Sequence, residues 1–429
     1  MAVGVLCAVR GAGETAVVTA LDGAAGRVTV MRRCADLVEL LAAAAAGLGR
    51  LAVVSGDLPH FDREAVAQLH VAQVRVLVLI APSEREIERM CALGVDAVLE
   101  DVADPAALVA AVLALADAAD QDLAERHPRV APVVTVLDDQ TARTGRVVAV
   151  WGPTGAPGRS TVAVNLAAEL ADPGGGPGPY GALLVDADTY GGTVAQLVGL
   201  LDEAPGLAAA ARAAGAGSLD LATLARLAPV LAPGLRVLTG ISRASRWPEL
   251  PDSALEVVWE VARSLAAWTV IDCGFCLEQD EELSYDTRAP RRNAATLSAL
   301  EAADVVVVVG SGDPVGVQRL VRGIADLASL PAASTARRIV VVNRVRASAA
   351  GSRPGDALRA SLARFAAIDA PHLVPDDRAG VDAAVLRGAT LREAASGSPA
   401  RRAIVALAAL LDAPAQARPR SAARFARRP

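Results

Sequence analysis

Lysine is absent from all 429 residues, so each of the 42 Lys+Arg positions is an arginine. Together with abundant Ala, Gly and Pro, this fits the codon bias of a GC-rich genome and reads as drift in composition. Aromatic residues are 3% of the chain. Cores must therefore be built from Ala, Val and Leu in close-packed helix and sheet layers. Net charge is -6, which argues against coating of nucleic acid by bulk charge but leaves room for a local basic patch. No N-terminal segment combines a basic start, an apolar core and a cleavage site, and no apolar run approaches the length of a membrane span. The expectation is a cytoplasmic protein. Cysteines are few: Cys7, Cys34, Cys91, Cys273 and Cys276, mostly in apolar surroundings. The CGFC pair lacks a partner pair or nearby histidines, so structural thiols are expected, not a metal or redox site.

What is present is enough for full-sized buried cores: 53% of residues are hydrophobic and 21% charged. The length suits two or three domains of about 150 residues each. Residues 1–117 alternate strand-like blocks (Val3–Val9, Arg27–Met31, Leu51–Ser55, Val76–Ile80, Asp96–Leu99) with helical ones, the pattern of a parallel α/β domain. Its last helix is expected to start with Asp104 as N-cap and Pro105 in first position. Residues 118–146 turn polar and Pro-containing and are expected to be a linker, with a short strand at VVTVL. A second α/β domain is expected over 147–413. Its strands are Val147–Trp151, Ala182–Val185, Leu235–Leu238, Trp268–Ile271, Asp304–Val309, Ile339–Val342 and His372–Val374, with flexible loops at Pro173–Pro179 and Glu282–Asn293. The end, 414–429, is arginine-rich with little periodic apolar surface and reads as a disordered basic tail.

The most informative stretch is Val147–Leu170, VVAVWGPTGAPGRSTVAVNLAAEL: a buried strand, a Gly/Pro-rich turn and a helix opened by Arg159, Ser160 and Thr161. At such a helix start, unpaired N–H groups and the helix dipole favour a polyanion, and a Ser/Thr hydroxyl can ligate Mg²⁺. The pattern is degenerate against G-x-x-x-x-G-K-[ST]. Arg159 stands at the lysine, Pro153 stands at the first glycine, and Gly152 falls one residue early. Gly-rich turns also arise for steric reasons alone. The acids that follow strengthen the case. ALLVDADTYGG puts Asp186 and Asp188 at the end of one apolar strand, and WTVIDCGF puts Asp272 at the end of another. Singly, each is a cap or turn former; together, on strand ends facing a phosphate loop, they suit Mg²⁺ and its waters.

Two passages of the first domain, LAVVSGDLP and GVDAVLEDV, resemble the phosphoacceptor turn and the lysine region of response-regulator receivers. In that resemblance Ser55 replaces the phosphorylated aspartate, Asp101 replaces the lysine, and AVRGAG lacks the acidic pair. The block is thus read as a degenerate, flavodoxin-like receiver used for contacts, with Asp57 in a turn. The second domain resembles the MinD/ParA superfamily of deviant P-loop ATPases, through GPTGAPGRST, LLVDADTYGG, VIDCGF, VVVNRV and VPDDRAGVDAAVLRG in that order. With SPARRAIVALAALL and the receiver-like block, it is most similar to the CpaE/TadZ branch, which helps place Flp/Tad pilus or secretion machines.

The resemblance implies ATP and Mg²⁺ as cofactors, a homodimer, and pilus or secretion proteins as partners. Gly152, Thr154, Gly155, Gly158, Arg159, Ser160 and Thr161 would hold the phosphates and Asn343 the adenine. Ser160, Asp186 and Asp272 would hold the metal, with Asp188 orienting water and Arg159 beside it. Thr154 stands where the superfamily keeps its signature lysine, so binding is expected to outlast hydrolysis, which is slow or absent. Alternatives are a ParA-like chromosome-partitioning ATPase with nonspecific DNA contacts through Arg337, Arg338, Arg401, Arg402 and the tail, or a MinD-like septum-site ATPase. The tail is interrupted by prolines, so membrane contact would be peripheral at most, with any polar or membrane association arising through partners.

Overall fold

The computed structural model describes residues 2–11, 13–24, 26–100, 104–125, 145–155, 157–171, 181–200, 205–279, 290–330 and 336–412. Asp101, the VVTVL segment, Pro173–Pro179, most of the Glu282–Asn293 loop and the basic tail lie outside the described residues.

The first domain runs β1 (Val3–Ala8), α1 (Gly13–Asp22), β2 (Val28–Arg33), α2 (Leu37–Ala45), β3 (Leu51–Ser55), α3 (Arg63–Val71), β4 (Arg75–Ile80), α4 (Glu84–Leu93), β5 (Ala97–Glu100) and α5 (Pro105–Glu125). Its five strands pair in parallel in the order β2-β1-β3-β4-β5, the flavodoxin-like doubly wound order. Alternation sets its two half-cores. Leu6, Ala52, Val54, Val76 and Val78 face one side, and Val5, Val53, Leu77 and Leu79 the other. Side-chain caps fix the helix starts: Asp36, Asp62 and Ser83 each accept from the backbone N–H three residues on. At α5 the Asp104 carboxylate accepts from the Ala106 N–H, with Pro105 in first position. That helix continues through Glu125, so the opening residues of the polar segment after 117 are helical; six of the nine residues of DAADQDLAE are good helix formers.

The second domain runs β6 (Arg146–Trp151), α6 (Arg159–Leu170), β7 (Ala182–Ala187), α7 (Val194–Leu197), α8 (Gly206–Gly215), α9 (Leu221–Leu227), β8 (Val230–Ala232), β9 (Leu235–Leu238), α10 (Asp252–Leu265), β10 (Trp268–Cys273), α11 (Ala294–Ala302), β11 (Val305–Ser311), α12 (Pro314–Ser329), β12 (Arg337–Val345), α13 (Ala347–Ala350), α14 (Pro354–Ala366), β13 (His372–Pro375), α15 (Arg378–Arg387), α16 (Leu391–Ala394) and α17 (Pro399–Asp412). The sheet order is β13-β12-β11-β6-β10-β7-β9-β8, parallel throughout except that β8 pairs antiparallel with β9. Sequence periodicity missed β8, a three-residue edge strand too short to show alternation.

Both faces of this sheet are covered. On β6, Val147, Ala149 and Trp151 pack toward α8, α10 and α11, and Val148 and Val150 toward α6 and α17. Near-continuous Val and Ile runs in β6, β10 and β11 are what a sheet buried on both faces requires. The expectation of buried cysteines holds for Cys7, Cys34 and Cys273; Cys91, however, is exposed, on the outer face of α4. The domains touch through α3 and α4. Arg63 Nε donates to the Ser253 carbonyl (2.9 Å) and Ser253 Oγ to Glu64 (2.7 Å), at the start of α10.

Candidate functional site

β6 lies between β11 and β10, and β10 lies beside β7, so the loop after β6 and the ends of β10 and β7 share one sheet edge. In register, Asp272 pairs with Asp186 on β7 and with Val150 on β6. Both carboxylates thus sit on the α6 side, beneath the loop that feeds that helix.

Three glycines shape the loop. A Cβ on Gly152 would stand 2.1 Å from the Val309 carbonyl oxygen, because the chain leaves the sheet hard against β11. Gly155 and Gly158 have φ of +105° and +93°, conformations that side chains rarely tolerate. Gly158 is the N-cap of α6 and gives no side-chain cap, which leaves the helix start to whatever anion binds there. Thr154 is exposed on the loop, and Ser160 and Thr161 are half-buried in the first turn.

Arg159 turns back over its own loop. Its Nη1 donates to the carbonyls of Gly152 (3.1 Å) and Pro153 (3.3 Å), and its Nη2 reaches Asp188 (3.4 Å). Asp188 Oδ1 also accepts from the N–H groups of Tyr190 (2.9 Å) and Gly191 (3.3 Å). Asp186 is used in the same turn, accepting from Asp188 N (3.2 Å) and Val194 N (3.1 Å).

Asp272 differs. It is fully buried, and neither carboxylate oxygen has a hydrogen-bond partner among the described residues. Burial, and then the neighbouring charge of Asp186, push its pKa well above the ordinary carboxylate range; the Ser160 hydroxyl and Arg159 pull the other way without cancelling this. An unpartnered buried carboxyl beside a hydroxyl, under an uncapped helix start, fits a divalent cation and an anionic ligand. Among the described residues no three His, Cys, Asp or Glu side chains converge as a metal cluster, so a hydroxyl, waters or ligand oxygens would complete such a set.

Asn343, at the C-terminal end of β12, is buried against the loop. Its Nδ2 donates to the Pro157 carbonyl (2.8 Å), its Oδ1 accepts from the Arg344 N–H (2.9 Å), and a Cβ on Gly158 would collide with Nδ2 at 2.3 Å. It therefore clips β12 to the loop. Beside it opens a cavity of about 540 Å³, lined by Thr154, Gly155, Thr161, Arg319, Arg344 and Pro375 among others. The structure thus brings together Gly152, Thr154, Gly155, Gly158, Arg159, Ser160, Thr161, Asp186, Asp188, Asp272 and Asn343. Of the arginines considered for DNA, Arg401 pairs with Glu169 (2.7 Å), while Arg337 and Arg402 donate to the Leu410 and Gly397 carbonyls. In the first domain, Ser55 Oγ accepts from the Arg10 N–H, and Arg10 also reaches Asp57 across the turn.

Arg319 and Arg344 at this cavity escaped the sequence reading. The available signal for Arg319 was the spacing Gly316, Arg319, Gly323, one face of a helix whose glycines permit close approach. Arg344, at φ +57°, is one of few non-glycine residues in the left-handed region among those described, and nothing local in VVVNRV announces it.

No protein-family model and no curated protein matches the chain. Among solved structures, a ParA family ATPase from Chlorobium tepidum TLS is similar over 63% of this chain and 100% of its own, at 19% identity with a TM-score of 0.51. The cell division ATPase MinD of Pyrococcus furiosus is similar over 62% of this chain and 98% of its own, at 18% identity and a TM-score of 0.47. The second domain therefore has the fold of a P-loop NTPase, of the kind seen in that ParA family ATPase. Among the described residues no helix is long and apolar enough to cross a membrane.

Proposed function

We propose that the chain is a nucleotide-responsive positioning protein of the CpaE/TadZ type, which binds ATP with Mg²⁺ as a homodimer, hydrolyses it slowly or not at all, and serves a Flp/Tad pilus or secretion machine. The observation that carries the nucleotide part is the conjunction at one sheet edge: a loop that only glycines can follow, an uncapped helix start, and a buried carboxyl without a partner beneath both. In this reading the loop and the first turn of α6 bind the phosphates, Ser160 and Asp272 hold the metal with Asp186 beside them, and Asn343 borders the base. Mg²⁺, when bound, supplies the charge that neutralises phosphate oxygens. Asp188 orients water, and its tie to Arg159 sets that orientation. Thr154, uncharged, leaves the transition state poorly compensated.

The positioning part rests on domain order and on the first domain's missing phosphoacceptor. Residues 1–117 act as a degenerate receiver that makes contacts, joined by 118–146 to the nucleotide-binding domain. A fluorescent ATP analogue titrated with Mg²⁺ tests the site. Binding is expected, with Ser160→Ala and Arg159→Ala each weakening it by about tenfold or more. No binding by the wild-type chain, or unchanged affinity in both variants, would leave the turn purely structural.

A further inference from the structure

We propose that Arg319 is a phosphate-binding cation of the nucleotide site, supplied from within the same chain and directed at the face of the loop that Arg159 leaves uncovered. The inference rests on the nucleotide reading above and deepens it.

Arg159 occupies the motif's cation position, yet its charge is spent on the loop's own Gly152 and Pro153 carbonyls and on Asp188. The cavity beside the loop is lined by Pro153, Thr154 and Gly155, and Arg159 is not among its lining residues. Here α12 comes in. Its Gly323 packs on Trp151 and Pro153, where a Cβ would stand 3.0 Å from the indole and 3.2 Å from the proline ring, so the helix lies against the strand that carries the loop. Arg319 is one turn earlier on the same face.

Its guanidinium rests on Gly155: Nη1 is 2.1 Å from the point where a Cβ would be. Gly155, at φ +105°, leaves room for it there. Arg319 is exposed and has no hydrogen-bond or ion-pair partner among the described residues, although Asp313, Asp376, Asp377 and Asp382 line the same cavity; Asp376 faces Arg346 (3.9 Å) and Arg378 (3.7 Å), and Asp377 accepts from the Gly380 N–H (3.1 Å). Asp313 is engaged elsewhere, accepting from the Gly316 N–H (2.9 Å) and the Ser311 hydroxyl. A planar cation that makes no ion pair among the described residues and lies over the loop is placed to take a phosphate oxygen pair bidentately. It stands one residue from Thr154, where the resemblance locates the missing lysine.

The test is calorimetric titration of the full chain with Mg-ATP, Mg-ADP and adenosine. Arg319→Gln is expected to weaken Mg-ATP by about tenfold, Arg319→Glu to weaken it further, and Arg319→Lys to recover part of the loss, with adenosine affinity unchanged throughout. Arg319→Gln should also lower the salt dependence of Mg-ATP binding, which a packing role would not do. If the wild-type chain binds Mg-ATP and all three variants bind it equally well, Arg319 is not a phosphate ligand, while the nucleotide reading stands. If the wild-type chain binds neither Mg-ATP nor Mg-ADP, the nucleotide reading falls and takes this inference with it.

Discussion

Asp272 makes the sharpest physical prediction. Its carboxyl is wholly buried, both oxygens lack partners among the described residues, and Asp186 faces it in register from the next strand. Without a cation the folded state therefore keeps the proton above the ordinary 3.8, where the unfolded chain gives it up. A folded pKa raised in this way makes stability fall as pH rises above the unfolded value, until the folded pKa is passed and the loss levels off. The slope from one such group is at most about 1.4 kcal/mol per pH unit. Asp272→Asn keeps the shape and removes the titration. The variant should match wild type near pH 4 and exceed it at pH 8 by roughly 1–3 kcal/mol, the usual cost of an unsatisfied buried polar group. Each kcal/mol corresponds to about 2–4 °C in Tm for a domain of this size. All four tryptophans, Trp151, Trp247, Trp259 and Trp268, lie in the second domain, so their fluorescence follows its unfolding by urea without contribution from the first. Measurements in EDTA at pH 4 to 8 give the slopes, and millimolar Mg²⁺ at pH 8 should stabilise wild type but not the variant. Parallel pH profiles for the two proteins would refute the argument, since the carboxyl would then be ionised in both folded and unfolded states.

Two further outcomes follow from the same geometry. The first domain should not accept phosphate, because Ser55 already takes the Arg10 N–H at the strand end and offers no carboxylate; acetyl phosphate and Mg²⁺ followed by intact mass measurement checks this, and a stable adduct within residues 1–117 would contradict it. Thr154→Lys should raise phosphate release by about tenfold or more, with Asp188→Ala removing the gain; no turnover from Thr154→Lys, in a protein that binds Mg-ATP, would overturn the hydrolytic role given to the acids.

Much of this architecture is legible in the chain because it depends on local chemistry. Apolar runs ending in Asp186 and Asp272 are strands ending at one sheet edge, and Asp104-Pro105 is a helix start, since caps and periodicity act within a few residues. The site's tertiary features are not legible. Nothing in GRST says that Arg159 will turn back to Gly152 and Pro153, because that choice depends on where Asp188 arrives from β7. Asn343 is identifiable at a strand end, but its clip to Pro157 depends on the β11–β12 register that places Ser311 opposite it. Arg319 is invisible for the same reason, since it meets Gly155 across 164 positions of sequence only because α12 lies on Trp151.

The segments after β7 and β10 form one packed unit, and this bears on why an arginine suits position 159. The Tyr190 hydroxyl donates to Asn293 Oδ1 (2.8 Å), and Asn293 Nδ2 donates to the Glu278 carbonyl (2.8 Å). Phe275 lies against the Tyr190 ring at 4.8 Å, while Arg292 covers that ring at 4.0 Å and donates to the Thr189 carbonyl. Burial, with Cys276 adjacent, pushes the tyrosine pKa up to about 12, so the hydroxyl remains a donor across the physiological range. Contacts of these kinds contribute about 0.5–1.5 kcal/mol each, so together they hold the segment after Asp188 firmly. The loop after β6 joins this unit through Arg159, whose Nη2 meets Asp188 while Nη1 meets the loop carbonyls. A guanidinium presents five donors in a fixed plane and can serve both edges at once. A lysine ammonium has three donors but no planar fork, so in the same place it would not span the two edges with one rigid group.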